Sequence, residues 1–290
     1  MTTVAALLRA SSLPVLETRI LLEHVLGWRR TELITRDDEE LAEESVGRFE
    51  ALAQRRAAGE PIAQLVGSRE FFGLEFEVTP DVLIPRPETE LLVEIALEKI
   101  AGIDAPRVLD LGTGSGAIAV AVAFSRADAR VCAVDQSTQA LAVAARNALR
   151  LLEPGRKITL LESNWTEALD PALRFELIVS NPPYIAQNDL HLSEGDLRFE
   201  PRTALTDEAD GLAAIRTIIQ TAPFFLAMGG SLWLEHGYDQ AADVRALLKA
   251  RGFSDVWSER DLAGIERVSG GFFYRLTRGW PPATGFSRAD

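Results

Sequence analysis

From residue 107 onward, short apolar runs alternate with helical patterns, and few folds accommodate that alternation. Runs at 107–110, 130–135, 158–162, 176–180, 231–235, 254–258 and 271–276 read as strands. Helical patterns fall at 117–124, 138–151, 210–226 and 240–251. Strands joined through helices build a parallel sheet with helices on both faces. No helical crossover separates the last two runs, so those two are expected to pair antiparallel. The expectation is an α/β protein with a doubly wound, seven-stranded sheet.

The first third has a different character. Residues 2–9 form a short amphipathic segment, and Leu16, Ile20, Leu21, Val25 and Leu26 recur at helical spacing up to Gly27. A further helical turn is expected at 31–34. A charged helix over 37–58 would turn Leu41, Val46, Phe49 and Leu52 inward. Pro61 opens a last short helix through Leu65 at a first-turn position. This small bundle, 1–66, reads as a recognition element or a cap. Phe71, Phe72, Phe76 and Val78 among glycines suggest a β-hairpin linker, 67–84, before an α/β domain at 85–277 and a polar tail at 278–290. The rigid turn Ile84-Pro85-Arg86-Pro87 leads into a helix over 88–100, with Glu88 or Thr89 as its cap.

Composition narrows the partners. The 290 residues are 47% hydrophobic and 25% charged, as in a soluble protein, with a net charge of −13. An acidic chain without a basic run does not attract polyanions, so no direct nucleic-acid contact is expected. Cys132, the sole cysteine, excludes an internal disulfide and a cysteine zinc cage. It sits in an apolar run and reads as inert filler; no metal is expected. No basic segment precedes the short N-terminal apolar stretch, and no apolar run reaches membrane-spanning length. The expected location is cytoplasmic, away from membranes.

Two stretches carry chemistry. Asp110-Leu111-Gly112-Thr113-Gly114-Ser115-Gly116 lies where the first strand turns into a helix, at the sheet edge where doubly wound folds bind ligands. Asp135 ends the next strand, in position to hold both hydroxyls of a ribose. The glycine spacing is G-x-G-x-G rather than that of dinucleotide enzymes, and Asp110 suits a cationic amino-acid group. Both features favour S-adenosylmethionine over a nicotinamide cofactor. Trp165 could pack against adenine or serve as a core or rim aromatic.

The second stretch is Asn181-Pro182-Pro183-Tyr184, after the apolar run that ends at Ser180. Consecutive prolines stop the strand, because neither can donate to the ladder. Asn181 then offers a side-chain carbonyl, Pro182 a backbone carbonyl and Tyr184 a flat ring. Two acceptors beside an aromatic face suit a planar NH2 group, whose two hydrogens need two acceptors. A proline-rich turn with no further role is the alternative. His236 is given no catalytic role.

Together the glycine loop, Asp135 and the Asn-Pro-Pro-Tyr stretch resemble the class I S-adenosylmethionine-dependent amino-group methyltransferases. More narrowly, the chain resembles the release factor glutamine N5-methyltransferases, the HemK/PrmC family. That likeness rests on Gly67 to Phe72, Ile84 to Glu90, Glu200 to Leu205, Asp210-Gly211-Leu212, Leu234 to Gly237 and Arg260 to Gly264. It also includes Leu21 to Gly27 in the helical region, and runs from about residue 15 to 276. The resemblance implies transfer of a methyl group to the glutamine amide of the Gly-Gly-Gln motif in peptide chain release factors. It further implies cofactor contacts from Asp110, Gly112, Thr113, Gly114, Ser115, Gly116, Asp135, Trp165 and Asn181. Asn181, Pro182, Pro183 and Tyr184 would hold the glutamine, with the first two and Tyr184 catalytic. Asn164 departs from the family pattern, which has an acidic residue there. A sister enzyme acting on a ribosomal protein shares nearly every motif. An adenine-N6 methyltransferase shares the four-residue stretch, but would normally add a basic recognition region. A non-catalytic partner of release factors would have no reason to keep Asn181 and Tyr184.

Overall fold

The chain opens with helices α1 (Val4–Ala10), α2 (Val15–Leu26), α3 (Arg30–Thr35), α4 (Glu43–Ala57) and α5 (Ile62–Val66), seen in a computed structural model. Residues 2–156, 158–193 and 195–274 are described; the expected tail at 278–290 and the end of the 271–276 strand lie outside them. Thr3 caps α1 by accepting from the Ala6 N–H, and Gly27 ends α2 in the left-handed region. Leu21, Leu22, Val25, Leu33, Leu41 and Phe49 make the core of this bundle. Leu16 does not join it. It is 61% exposed, because Thr18 and Leu22 occupy the inward stripe. Leu41 is buried ahead of α4 rather than within it, and Pro61 caps α5 instead of starting it.

Strands β1 (Ser68–Phe71) and β2 (Leu74–Glu77) pair as the expected hairpin. Phe71 and Phe76 are fully buried in the same core as Leu92, Val108 and Trp233, so the hairpin packs into the α/β layer. A single turn, Pro87–Thr89, precedes α6 (Glu90–Lys99). No side chain caps that helix; the Glu90 carboxylate instead accepts from the Phe72 N–H at 2.9 Å.

The α/β part follows as β3 (Arg107–Leu111), α7 (Ala117–Ser125), β4 (Arg130–Asp135), α8 (Thr138–Leu151), β5 (Thr159–Glu162) and β6 (Phe175–Ser180). It continues through α9 (Arg202–Leu205), α10 (Ala213–Thr221), β7 (Leu226–Glu235), α11 (Ala241–Arg251), β8 (Ser254–Arg260) and β9 (Glu266–Phe273). The sheet order is β5-β4-β3-β6-β7-β9-β8. β9 runs antiparallel to both neighbours and the other pairs are parallel, as the alternation of elements requires. Apolar side chains fill both faces, which suits the continuous apolar strand runs.

Several boundaries differ from the sequence expectation for physical reasons. β9 begins five residues before Gly271, since Gly270 and Gly271 lie inside the strand rather than opening it. A Cβ on Gly270 would run into the Trp233 ring of the neighbouring strand. The helix expected over 210–226 shrinks to α10, because a tighter turn containing Pro223 follows it. β7 starts at Leu226, upstream of the apolar core of the run, and its pairing with β6 shifts register between Phe175 and Leu177. Among the described residues no helix is long and apolar enough to cross a membrane.

Candidate active site

Adjacent strands deliver the sequence-flagged residues to one edge. β3 and β6 pair side by side with Leu111 opposite Ser180, so the glycine loop and Asn181 leave the sheet together. The buried Ser180 hydroxyl donates to the Leu111 carbonyl at 2.6 Å and locks the two strand ends. Gly112 and Thr113 both donate N–H groups to the Val134 carbonyl at 2.9 Å, which brings Asp135 alongside. On the other flank Leu234 pairs with Ser180, so Glu235 follows next to Asn181. A cleft opens here, lined by Gly112 to Ser115, Asp135, Trp165, Asn181, Pro183, Arg86, Thr89 and Thr203.

The loop is shaped for close approach. Gly116 has a φ of 82°, and a Cβ there would meet the Ala144 Cβ of α8 at 3.1 Å. Asp135 accepts from the Gly114 N–H at 2.8 Å and from the Ser137 N–H at 2.9 Å. Each oxygen retains a lone pair for a hydroxyl. Burial raises its pKa, while those N–H groups hold it down. Asn147 on α8 is fully buried and donates to the carbonyls of Ser115 and Glu77 while accepting from the Glu77 N–H. It ties loop, helix and hairpin together.

Asp110 lies buried beneath the loop. Its Oδ2 accepts from the Thr113 hydroxyl at 2.6 Å, and its Oδ1 has no hydrogen-bond partner among the described residues. Desolvation pushes its pKa up to about 7, against the Thr113 and Ala119 hydrogen bonds. An orphaned carboxylate oxygen beside a glycine cradle fits a ligand that brings a cation. Trp165 takes a positive φ of 50°, and its ring lies over Gly112 on the cleft wall while packing on the sheet core. It sits as a rim aromatic, packed on the core with its ring on the cleft wall. Asn164 donates to Glu167 at 2.9 Å, with its side chain at the cleft.

At the second stretch, the Asn181 side-chain NH2 donates to the Thr89 hydroxyl oxygen at 3.0 Å. Nothing among the described residues donates to the Asn181 Oδ1 or to the Pro182 carbonyl. Both acceptors are unclaimed. Pro183 reaches the cleft wall, whereas Pro182 is buried. Tyr184 packs its ring on the sheet core, and its hydroxyl donates to Glu235 at 3.3 Å. Burial and the Glu235 charge raise the Tyr184 pKa, so the phenol stays neutral. Gln240 donates to the Tyr184 and Gly211 carbonyls at 3.0 and 3.2 Å, pinning the loop beyond the motif.

Both ring nitrogens of His236 are engaged within the fold. Its Nδ1 donates to the Gly237 carbonyl at 2.9 Å, so its Nε2 accepts from Ser269 at 2.7 Å, and burial keeps the ring neutral. Cys132 is half-buried with its pKa pushed up to about 11 by desolvation, which keeps the thiol unreactive. Among the described residues no group of three or more His, Cys, Asp or Glu side chains could hold a metal ion. In the sequence Ser180 marks only a strand end, Glu235 and Thr89 belong to stretches of family likeness with Thr89 also a candidate cap, and Asn147 carries no flag. A serine at the end of an apolar strand and an asparagine within an alanine-rich helix were the available signals.

Residues 1–67 match the PrmC N-terminal domain family, and residues 87–196 match the methyltransferase small domain family. A release factor glutamine methyltransferase of Burkholderia pseudomallei strain K96243 is 67% identical over 272 residues, covering 93% of this chain and 95% of the relative. One from Escherichia coli K12 is 45% identical over 269 residues, covering 92% and 95%. A solved methyltransferase from Pyrococcus furiosus superposes with a TM-score of 0.53 at 19% identity, over 79% of this chain and 100% of the other, a likeness of fold.

Proposed function

The chain belongs to the release factor glutamine methyltransferase family, and we propose that it methylates the Gly-Gly-Gln glutamine of peptide chain release factors on N5, using S-adenosylmethionine. The observation that carries this reading is the pair of unclaimed acceptors, Asn181 Oδ1 and the Pro182 carbonyl, beside the glycine loop.

When bound, S-adenosylmethionine supplies an electrophilic methyl on a sulfonium. Gly112 to Gly116 cradle its amino-acid end, with Asp110 as counter-charge, while Asp135 takes the ribose hydroxyls and Trp165 the adenine. The orphaned Asp110 oxygen and the free lone pairs of Asp135 fit those groups.

An amide nitrogen is a poor nucleophile, because its lone pair is delocalised into the carbonyl. No ordinary general base cures this, and the residues at hand are acceptors. Asn181 Oδ1 and the Pro182 carbonyl would each accept a hydrogen bond from one amide N–H and so aim the nitrogen, which sheds one proton to solvent after the methyl is transferred. Positioning of this kind lowers barriers by roughly 7–11 kcal/mol in favourable cases. Fixed acceptors also favour the positive charge that grows on nitrogen during transfer. Pro183 and the neutral Tyr184 wall the site against water.

The helical region, 1–66, would dock the protein substrate, with the hairpin at 67–84 fixing its place against the α/β domain. In support, Arg56 of α4 pairs with Asp196 at 2.8 Å and Gln64 of α5 donates to the Phe199 carbonyl at 3.0 Å. Those contacts reach the segment that leads to the cleft rim at Pro201 to Ala204. The test is mass spectrometry of a release factor, a large ribosomal subunit and a DNA duplex, each incubated with the protein and cofactor. One methyl on the release factor glutamine is expected. Modification of only the ribosomal protein or only adenine would overturn the proposal.

A further inference from the structure

The buried Glu235 carboxylate has no part in the chemistry described above, yet it ends the strand that runs beside the residue that does the aiming. It ends β7 next to Asn181 in register and is 1% exposed. The Tyr184 hydroxyl donates to its Oε1, and its Oε2 has no hydrogen-bond partner among the described residues. Thr89 is also buried, reaches the cleft wall, and accepts from the Asn181 NH2 at 3.0 Å. A hydroxyl has one hydrogen, and Thr89 does not spend it on Asn181. Strand β7 brings a carboxylate with an unpartnered oxygen, Glu235, beside Asn181 in register, and the Thr89 hydroxyl is among the groups that hold its pKa down.

A carboxylate can only accept. Polarity therefore runs one way, from the Asn181 N–H to Thr89 oxygen and from the Thr89 O–H towards Glu235. Turning the Asn181 carboxamide over would point its oxygen at Thr89 and take the hydroxyl hydrogen away from the carboxylate. That would leave a buried charge with one donor fewer, which is costly. It would also present an NH2 to the incoming glutamine NH2, donor against donor.

Resting on the function proposed above, we infer that Thr89 and Glu235 are positioning residues that hold the Asn181 carboxamide oxygen towards the substrate amide. Sequence alone does not connect these three residues. They come from the turn before α6, the end of β7 and the end of β6, and only the sheet order brings them together.

The carboxylate must be ionised for this polarity to hold. A protonated Glu235 could donate to Thr89 and release the hydroxyl hydrogen to Asn181 Oδ1. Burial raises its pKa to about 7, Thr89, Tyr184 and Arg267 of β9 pull it down, and Glu88 of the turn before α6 pushes it up. His236, the next residue, is neutral and bonded to Ser269. Turnover should accordingly fall as the pH drops below about 7.

The test uses Thr89→Val, Thr89→Ser and Glu235→Gln in the full-length chain. Turnover on a release factor is measured across pH at saturating cofactor, with release factor binding measured separately in the presence of S-adenosylhomocysteine. Thr89→Val keeps the shape and removes the acceptor, so turnover should fall about tenfold or more and release factor binding should weaken. Thr89→Ser should stay within about threefold of the parent. Glu235→Gln should lose about tenfold at pH 8 and lose the acid limb, while binding of S-adenosylhomocysteine is unchanged in all three. If Thr89→Val misfolds, Glu235→Gln decides through its pH profile. A parent that methylates the release factor while Thr89→Val matches it, or an acid limb that persists in Glu235→Gln, overturns the positioning role alone. A parent that leaves the release factor unmodified overturns the function and this inference with it.

Discussion

The Ser180 hydroxyl donates to the Leu111 carbonyl at 2.6 Å, joining the last residues of two parallel strands. One strand leads into the glycine loop and the other into Asn181, so this single bond sets the spacing between the two halves of the site. Replacing Ser180 by Ala leaves a buried carbonyl with one partner fewer. A stability loss of about 1–3 kcal/mol is expected in denaturant titration. Turnover should drop alongside, with release factor binding less affected. Unchanged stability would show that the strand ends are held by the ladder alone.

Asn181 carries the aiming. Asn181→Ala removes one of the two free acceptors, and turnover should fall by at least ~10²-fold, by analogy with loss of one preorganised polar group. The affinity for S-adenosylhomocysteine should change far less, since the glycine loop and Asp135 remain. Calorimetry and single-turnover methylation separate the two. Near-normal turnover in this variant would remove the clamp from the mechanism.

Much of this was legible in the chain, and the reason is periodicity. Buried parallel strands such as β6 carry an unbroken apolar centre at residues 177–179, and glycines and prolines punctuate the ends, so the sheet and both edge motifs could be read directly. What could not be read depends on neighbours far along the sequence. Gly271 looked like the strand opening with Gly270 outside it, and only the Trp233 ring of the neighbouring strand explains a glycine at 270 within β9. Thr89 looked like a helix cap, and only the arrival of Asn181 from β6 gives it another partner. Tyr184 offered a flat ring, and only the arrival of β7 gives its hydroxyl a partner, Glu235. Burial of polar groups is a tertiary outcome, and propensity does not report it.

Asn147 illustrates the same limit and yields a prediction. It satisfies three backbone groups, the carbonyls of Ser115 and Glu77 and the Glu77 N–H, from the buried side of α8. Asn147→Leu would leave all three without that partner in the interior. A loss of about 2–3 kcal/mol in stability is expected from chemical denaturation. Cofactor affinity should weaken as well, because Ser115 loses its tether, whereas a surface change such as Leu149→Ala should alter neither.

Asp110 makes cofactor binding depend on pH in a defined direction. Burial raises its pKa from 3.8 to about 7 in the folded chain, so the fold favours the protonated form. The stability it contributes is then fully present below about pH 4 and is lost as the pH rises through 7. Without ligand, the melting temperature should fall between pH 5 and pH 8, and Asp110→Asn should flatten part of that fall. A ligand carrying an ammonium group prefers the ionised carboxylate. At pH 6 about one tenth of Asp110 is ionised and at pH 7 about half, so affinity for S-adenosylhomocysteine should rise about fivefold over that unit. The ligand's own amine stays protonated throughout this range. Asp110→Asn should bind more weakly and with no such rise. A steep pH dependence that survives in Asp110→Asn would place the titrating group elsewhere, with the partly buried Asp135 the next to test.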